Sequence, residues 1–283
     1  MKQTQNLSAE NSPATKSASC STDQTAAARK KRISYAAKAA AVLGALFVWQ
    51  AAAWAVGSKL LLASPVEVIK RMFSLAFGGG DFWSTALYSF SRIALGFFGG
   101  LAAGILLAVA AGRFRVVETL LFPYMVTIRS IPVASFVILA LIWLTASKLA
   151  SFVSFLMVMP IVYTNVLAGI RSVDPKLLEM ARVFRVPPLR KLRCIWLPGL
   201  KSHLVSACEI SLGLAWKSGI AAELIGYPTG SVGEKLYYSK VYLDTVDLFA
   251  WTVFIVLFSV GFAKLFLAAL KRLLEVPERR WTE

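Results

Sequence analysis

Long apolar runs separated by short polar or basic stretches dominate the chain from about residue 39 onward. A helix that crosses the hydrocarbon core of a bilayer needs about 20 mainly apolar residues. Six stretches meet that need: residues 39–61, 87–111, 118–144, 149–170, 204–224 and 247–270. Backbone groups find no water inside a bilayer, so each stretch predicts a helix. The pattern predicts an all-α polytopic membrane protein with six transmembrane helices. The second stretch crowds Gly96, Gly99, Gly100, Ala102, Ala103 and Gly104, small residues that let helices approach closely in lipid. The third is longer than a span needs and carries Pro123, Arg129 and Pro132. Between the first two spans, Ser64-Pro65 opens a segment, 66–77, with apolar residues at helical spacing; Gly78, Gly79 and Gly80 close it. It reads as a helix on or near the outer surface.

A polar island, residues 171–201, separates the fourth and fifth spans. It is dense in Arg and Lys and contains a short amphipathic helix that no span requires. Asp174 followed by Pro175 is a helix start, an N-cap acceptor and then a proline at the first helical position. Leu177, Leu178, Ala181 and Phe184 supply one apolar face, and Pro187-Pro188 are expected to end the helix. From physics alone, an ordinary basic loop with an interfacial helix and a docking element for a cytoplasmic partner are equally good readings.

Composition agrees with a membrane protein: 57% of the 283 residues are hydrophobic, only 16% are charged, and the mean hydropathy is +0.65. The net charge of +16 would suggest nucleic acid in a soluble protein. Here the cations lie between and beside spans, which points to topology and the anionic cytoplasmic leaflet and not to nucleic acid. The cluster at residues 29–32, Arg113, Arg115, the island and the C-terminal cations all fall on one side if both termini are cytoplasmic. Residues 1–35 form a Ser-, Thr- and Ala-rich tail expected to be disordered and not to be a signal peptide. Residues 36–275 form the membrane domain and 276–283 a second cytoplasmic tail. Cys20, Cys194 and Cys208 show no disulfide or metal pattern, and His203 has no partner at ligand spacing, so no metal and no cofactor is expected.

The island resembles the "EAA" loop of binding-protein-dependent ABC importer permeases. Glu179-x-Ala181, position 185 and Ile195-x-Leu197-Pro198 follow that pattern without a gap. Met180 stands where the family has its middle Ala, and Arg185 stands where it has Gly. With Arg185 in that place, Pro187-Pro188 are expected to make the bend instead. The Ser64-Pro65 segment, Ile131-Pro132, and the stretch from Gly226-Tyr227 to Gly233-Glu234-Lys235-Leu236 look like the nitrate, sulfonate and taurine branch. The resemblance implies a type I ABC importer transmembrane-domain fold in a bacterial cell membrane. It implies a second permease copy, a cytoplasmic ATP-binding subunit, an extracellular or periplasmic solute-binding protein and a small anionic solute. It also implies that Asp174, Glu179, Ala181, Arg182, Phe184, Arg185, Ile195, Leu197 and Pro198 couple the chain to its ATPase. A thiamine-precursor pyrimidine is the alternative solute of the same class.

Ionisable residues inside spans are functional candidates. Arg129 and Ser130, just before Ile131-Pro132, either face the translocation path, where a guanidinium forks onto oxyanions, or lie at the cytoplasmic interface with Arg129 snorkelling. Trp216 and Lys217 line the path or serve helix packing and an ion pair. An intramembrane enzyme would need a catalytic cluster, and the spans hold none. The absence of a GxxxxGK[ST] motif assigns ATP hydrolysis to a partner chain. An ion-coupled carrier is the remaining alternative class; the expected internal repeat is not evident.

Overall fold

The structure, a computed structural model, describes residues 37, 40–58, 61–78 and 80–279. The N-terminal tail, its 29–32 basic cluster and residues 280–283 lie outside the described residues. The chain falls into two compact units, residues 1–65 and 66–283. The first holds helix α1 (Ala40–Val56). It stops short of the expected residue 61 because Gly57 turns to φ +64°, a left-handed conformation that glycine adopts without steric cost. Ser64 Oγ donates to Gln50 Oε1 at 2.8 Å within this unit.

The second unit begins within α2 (Pro65–Phe77), the helix expected between the first two spans. Then follow α3 (Phe82–Arg113), α4 (Arg115–Ser130), α5 (Val133–Ala140), α6 (Ala146–Arg171), α7 (Pro175–Val183), α8 (Pro188–Lys191), α9 (Leu197–Gly226), α10 (Val232–Val241) and α11 (Thr245–Arg279). A wide π-turn, Leu192–Trp196, joins α8 to α9; the Leu197 N–H reaches back five residues to the Leu192 carbonyl. The turn directly precedes Pro198, which has no N–H to give. Among the described residues, α3, α6 and the 245–274 part of α11 are long and apolar enough to cross a membrane, and α4 with α5 makes a fourth if the bent pair counts as one span.

The third expected span is therefore not one straight helix. It bends by 103° between Ser130 and Val133. Pro132 pushes the preceding Ile131 into an extended conformation, φ −74° and ψ 129°. The helix α9 is long, but it carries Lys201, Glu209, Lys217 and Glu223 and so falls outside the apolar class. The α10 helix, between the fifth and sixth expected spans, had no counterpart in the pattern of apolar runs. The last helix continues to Arg279, past the expected end of the span at residue 270.

Helix α6 packs along both α3 and α9, and this trio forms the core. The glycines of α3 make the approach to α6 close. A Cβ on Gly96 would sit 2.3 Å from the Ser151 carbonyl oxygen. On Gly100 it would sit 2.8 Å from the Phe155 oxygen, and on Gly104 2.8 Å from the Met159 oxygen. Four-residue spacing puts the three on one helix face. Ser154 Oγ, fully buried, donates to the Ala215 carbonyl at 3.1 Å and ties α6 to α9.

Candidate functional site

Two places concentrate the chemistry. The first is the α7 loop. Asp174 caps α7 as its spacing requires: its carboxylate accepts the Lys176 N–H at 2.9 Å, with Pro175 at the first helical position. The helix ends at Val183, not at Pro187-Pro188. Arg185 adopts φ +49°. The Val186 N–H reaches the Ala181 carbonyl at 2.9 Å and the Arg185 N–H the Arg182 carbonyl at 3.1 Å. That pair of bonds is a Schellman stop, with Arg185 in the left-handed place normally filled by glycine. The bend thus stays at Arg185 and does not move to the prolines. Pro188 instead starts α8.

The expected apolar face of α7 is divided. Ala181 is buried and Leu178 half-buried, whereas Leu177, Met180 and Phe184 are exposed. Glu179, Arg182 and Arg185 are exposed around them. Ile195 and Leu197 are half-buried and Pro198 is exposed where the chain enters α9. At the base of the loop, Arg171 at the end of α6 pairs with Glu118 at the start of α4. His203 packs against Gly169, where an added Cβ would lie 3.0 Å from the His203 Cβ.

The second place is a cavity of about 400 Å³ between α4, α6 and α9. Its polar side holds Arg129, Thr164 and Asn165. Arg129 Nη2 donates to the Pro160 carbonyl at 2.6 Å and to the Thr164 hydroxyl. Asn165 Nδ2 donates to the Ile161 carbonyl at 2.9 Å. The other walls are apolar. Arg129 is thus braced against α6, and among the described residues its Nη1 and Nε have no partner. Ser130 does not join it; its hydroxyl donates to the Val126 carbonyl of its own helix at 2.9 Å. Trp216 is buried in an aromatic cluster, its ring 5.9 Å from Phe90 and 5.8 Å from Phe258, and does not line the cavity. Lys217 is exposed on α9, on the side that carries Ile210 and Gly213.

Thr164 and Asn165 are not among the candidates expected from the sequence, although two adjacent polar residues one turn after Pro160 in an apolar span are a usable signal. Glu223 is likewise absent from those candidates. Glu223 is fully buried: Oε2 accepts from Ser89 Oγ at 2.6 Å and from the Gly233 N–H at 3.3 Å. Ser89 Oγ in turn accepts the Val232 N–H at 2.9 Å, and Ser231 accepts the Glu234 N–H at 3.0 Å. The first N–H groups of α10 are thereby satisfied, two of them by α3 and α9. A carboxylate at a helix N-terminus is also favoured by the helix dipole. Among the described residues, no group of His, Cys, Asp and Glu has metal-ligand geometry.

Comparison with known proteins identifies what carries these two places. A "Putative aliphatic sulfonates transport permease protein" of Bacillus subtilis is 29% identical over 72% of this chain and 74% of its own length. The taurine transport system permease protein of Escherichia coli is 27% identical over 66% of this chain and 72% of its own. The bicarbonate transport system permease protein of Synechococcus elongatus is 27% identical over 74% and 79%. All three are similar through most of the membrane domain. The family described as "Binding-protein-dependent transport system inner membrane component" matches residues 100–276, which include the cavity, the α7 loop and α9. The chain is a multi-pass membrane protein of that family, the ABC transporter permeases, and its relatives place it in the nitrate, sulfonate and taurine branch.

Proposed function

We propose that this chain is the membrane-spanning permease subunit of an ABC importer for a small anionic solute. In this reading it crosses the bacterial cell membrane six times with both termini in the cytoplasm. The orientation puts Arg113, Arg115, the α7 loop and Lys271-Arg272 on the inner side, in keeping with the preference of basic residues for that side. Two copies form the path, a separate ATPase binds from inside, and a solute-binding protein delivers substrate from outside. The observation that carries the proposal is the α7 loop. A capped helix is stopped by a fixed turn, and Leu177, Met180 and Phe184 are left exposed beside Glu179, Arg182 and Arg185. Such a short rigid knob suits a groove on another protein. The braced Arg129 supports an anionic solute.

The relatives named for sulfonates, taurine and bicarbonate support this class of solute. The test is uptake by the chain reconstituted in proteoliposomes with the ATPase and binding subunits produced alongside it. Uptake is expected to need ATP hydrolysis and to persist when proton and sodium gradients are collapsed. Uptake driven by an ion gradient without ATP would make the chain a secondary carrier.

A further inference from the structure

Helix α4 is attached to the core of its own chain along one narrow face. Spacing by three and four residues puts Glu118, Leu121, Met125 and Arg129 on that face, its two ends three turns and about 16 Å apart. Met125 alone among the residues of α4 is buried, and Leu121 is half-buried against the same core cluster. The two ends of the face are polar. Glu118 pairs with Arg171, while Arg129 Nη2 donates to the Pro160 carbonyl at 2.6 Å and to the Thr164 hydroxyl. The answering face of α6 is Pro160, Thr164, Leu167 and Arg171, again three turns from end to end and running the opposite way. Matched length and opposite direction make a clamp: two antiparallel helices with an apolar middle, tied at both ends. Whatever a second copy lays against the outer face of α4, this attachment belongs to the chain itself.

The Glu118–Arg171 end lies next to the α7 loop. Arg171 is the last residue of α6, and Asp174, the α7 cap, comes three residues later. The joint between them has little slack. The Ser172 N–H donates to the Ala168 carbonyl at 3.0 Å and its hydroxyl to the Gly169 carbonyl at 2.9 Å. Val173 is buried beside Gly199 at the start of α9. A displacement of α7 is therefore passed to Arg171 and not absorbed on the way. The far end of α4 runs into the extended Ile131 and the 103° bend, where a change of angle is taken up by a few backbone torsions.

We propose that the Glu118–Arg171 pair is a positioning contact: it makes α4 follow α6, so that motion of the α7 loop arrives at Arg129 and is taken up at Ile131-Pro132. This rests on the reading above that the α7 loop engages an ATPase and that two copies assemble. Each charge suits its helix end, Glu118 in the first turn of α4 and Arg171 in the last turn of α6. The side chains are 28% and 56% exposed, so the pair adds little to folding stability and its loss leaves the fold intact. What the loss removes is the alignment of α4 with α6 at the loop end.

The test is a distance measurement on the two-copy assembly with its ATPase in nanodiscs, nucleotide-free and trapped with ATP and vanadate. The chain carries Cys20→Ser and Cys194→Ser; Cys208 is buried and stays. One spin label per copy is placed at Lys176→Cys on α7 or at Thr119→Cys on α4, both exposed positions. Trapping is expected to change both copy-to-copy distances in the otherwise unsubstituted chain. In Glu118→Gln and in Arg171→Gln the Lys176 distance is expected to change as before and the Thr119 distance by less than half as much. The exchange of Glu118→Arg with Arg171→Glu is expected to recover most of the Thr119 change. A full Thr119 change in either single variant overturns the inference. So does an exchange that assembles and recovers nothing, because one charge acting alone would then be responsible. If the exchange fails to assemble, the two single variants decide. A Thr119 distance that stays fixed without either substitution, while Lys176 moves, overturns the inference and leaves the ATPase reading in place. If neither label moves, or the chain does not assemble with an ATPase, that reading falls and the inference falls with it.

Discussion

Arg185 occupies a left-handed turn, φ +49°, that closes the α7 helix. For a residue with a Cβ this conformation costs roughly 1–2 kcal/mol relative to glycine. Arg185→Gly is therefore expected to stabilise the folded chain by about 1 kcal/mol, read as a shift in the unfolding midpoint in mild detergent. Glu223 works in the opposite direction. Glu223→Ala would leave the Gly233 N–H and the Ser89 hydroxyl without their buried acceptor. The expected loss is about 1–3 kcal/mol, with Glu223→Gln milder because it keeps an acceptor in place. The two positions differ in how much of them was legible. Spacing marked position 185 as unusual, but the two prolines beyond it were the visible helix breakers, so the bend was assigned to them. The deciding bonds, Val186 to Ala181 and Arg185 to Arg182, are backbone bonds and leave no trace in residue type. The Glu223 anchor joins residues 134 and 10 positions away, and no local pattern encodes such a pairing.

At the scale of elements, the glycine seam was the most readable feature. Gly96, Gly100 and Gly104 announced a close helix contact, and α6 fills it with its backbone at Ser151, Phe155 and Met159. Gly100→Val would drive its side chain into the Phe155 carbonyl and Val158. Loss of at least 1–3 kcal/mol is expected, with reduced yield of monodisperse protein on size-exclusion chromatography. The α4–α5 bend was half-legible: Pro132 is visible as a helix breaker inside the third apolar run, but the run suggested one continuous span where the structure turns by 103°. Composition cannot set that angle, because the extended Ile131 and the packing of α5 on α6 and α9 set it together. Helix α10 was missed because it is short, and its start is held by polar groups of α3 and α9 and not by a long apolar period of its own.

Across the whole molecule, apolar run length gave the main membrane helices, and a single spacing gave the family. The same signals do not reach the cavity, which joins Arg129 to Thr164 across 35 positions and adds Ile210 and Leu214 from a third helix. The central claim is that the α7 loop transmits ATP hydrolysis to this chain. Its most direct test is Glu179→Lys, an exposed change that leaves the Asp174 cap and the Arg185 turn intact. Wild-type and variant chains, reconstituted with the same ATPase and binding subunits, are compared for solute-stimulated ATP hydrolysis and for uptake. The account predicts that both fall at least tenfold while the helix content of the chain is unchanged. Both activities surviving at wild-type level would contradict it.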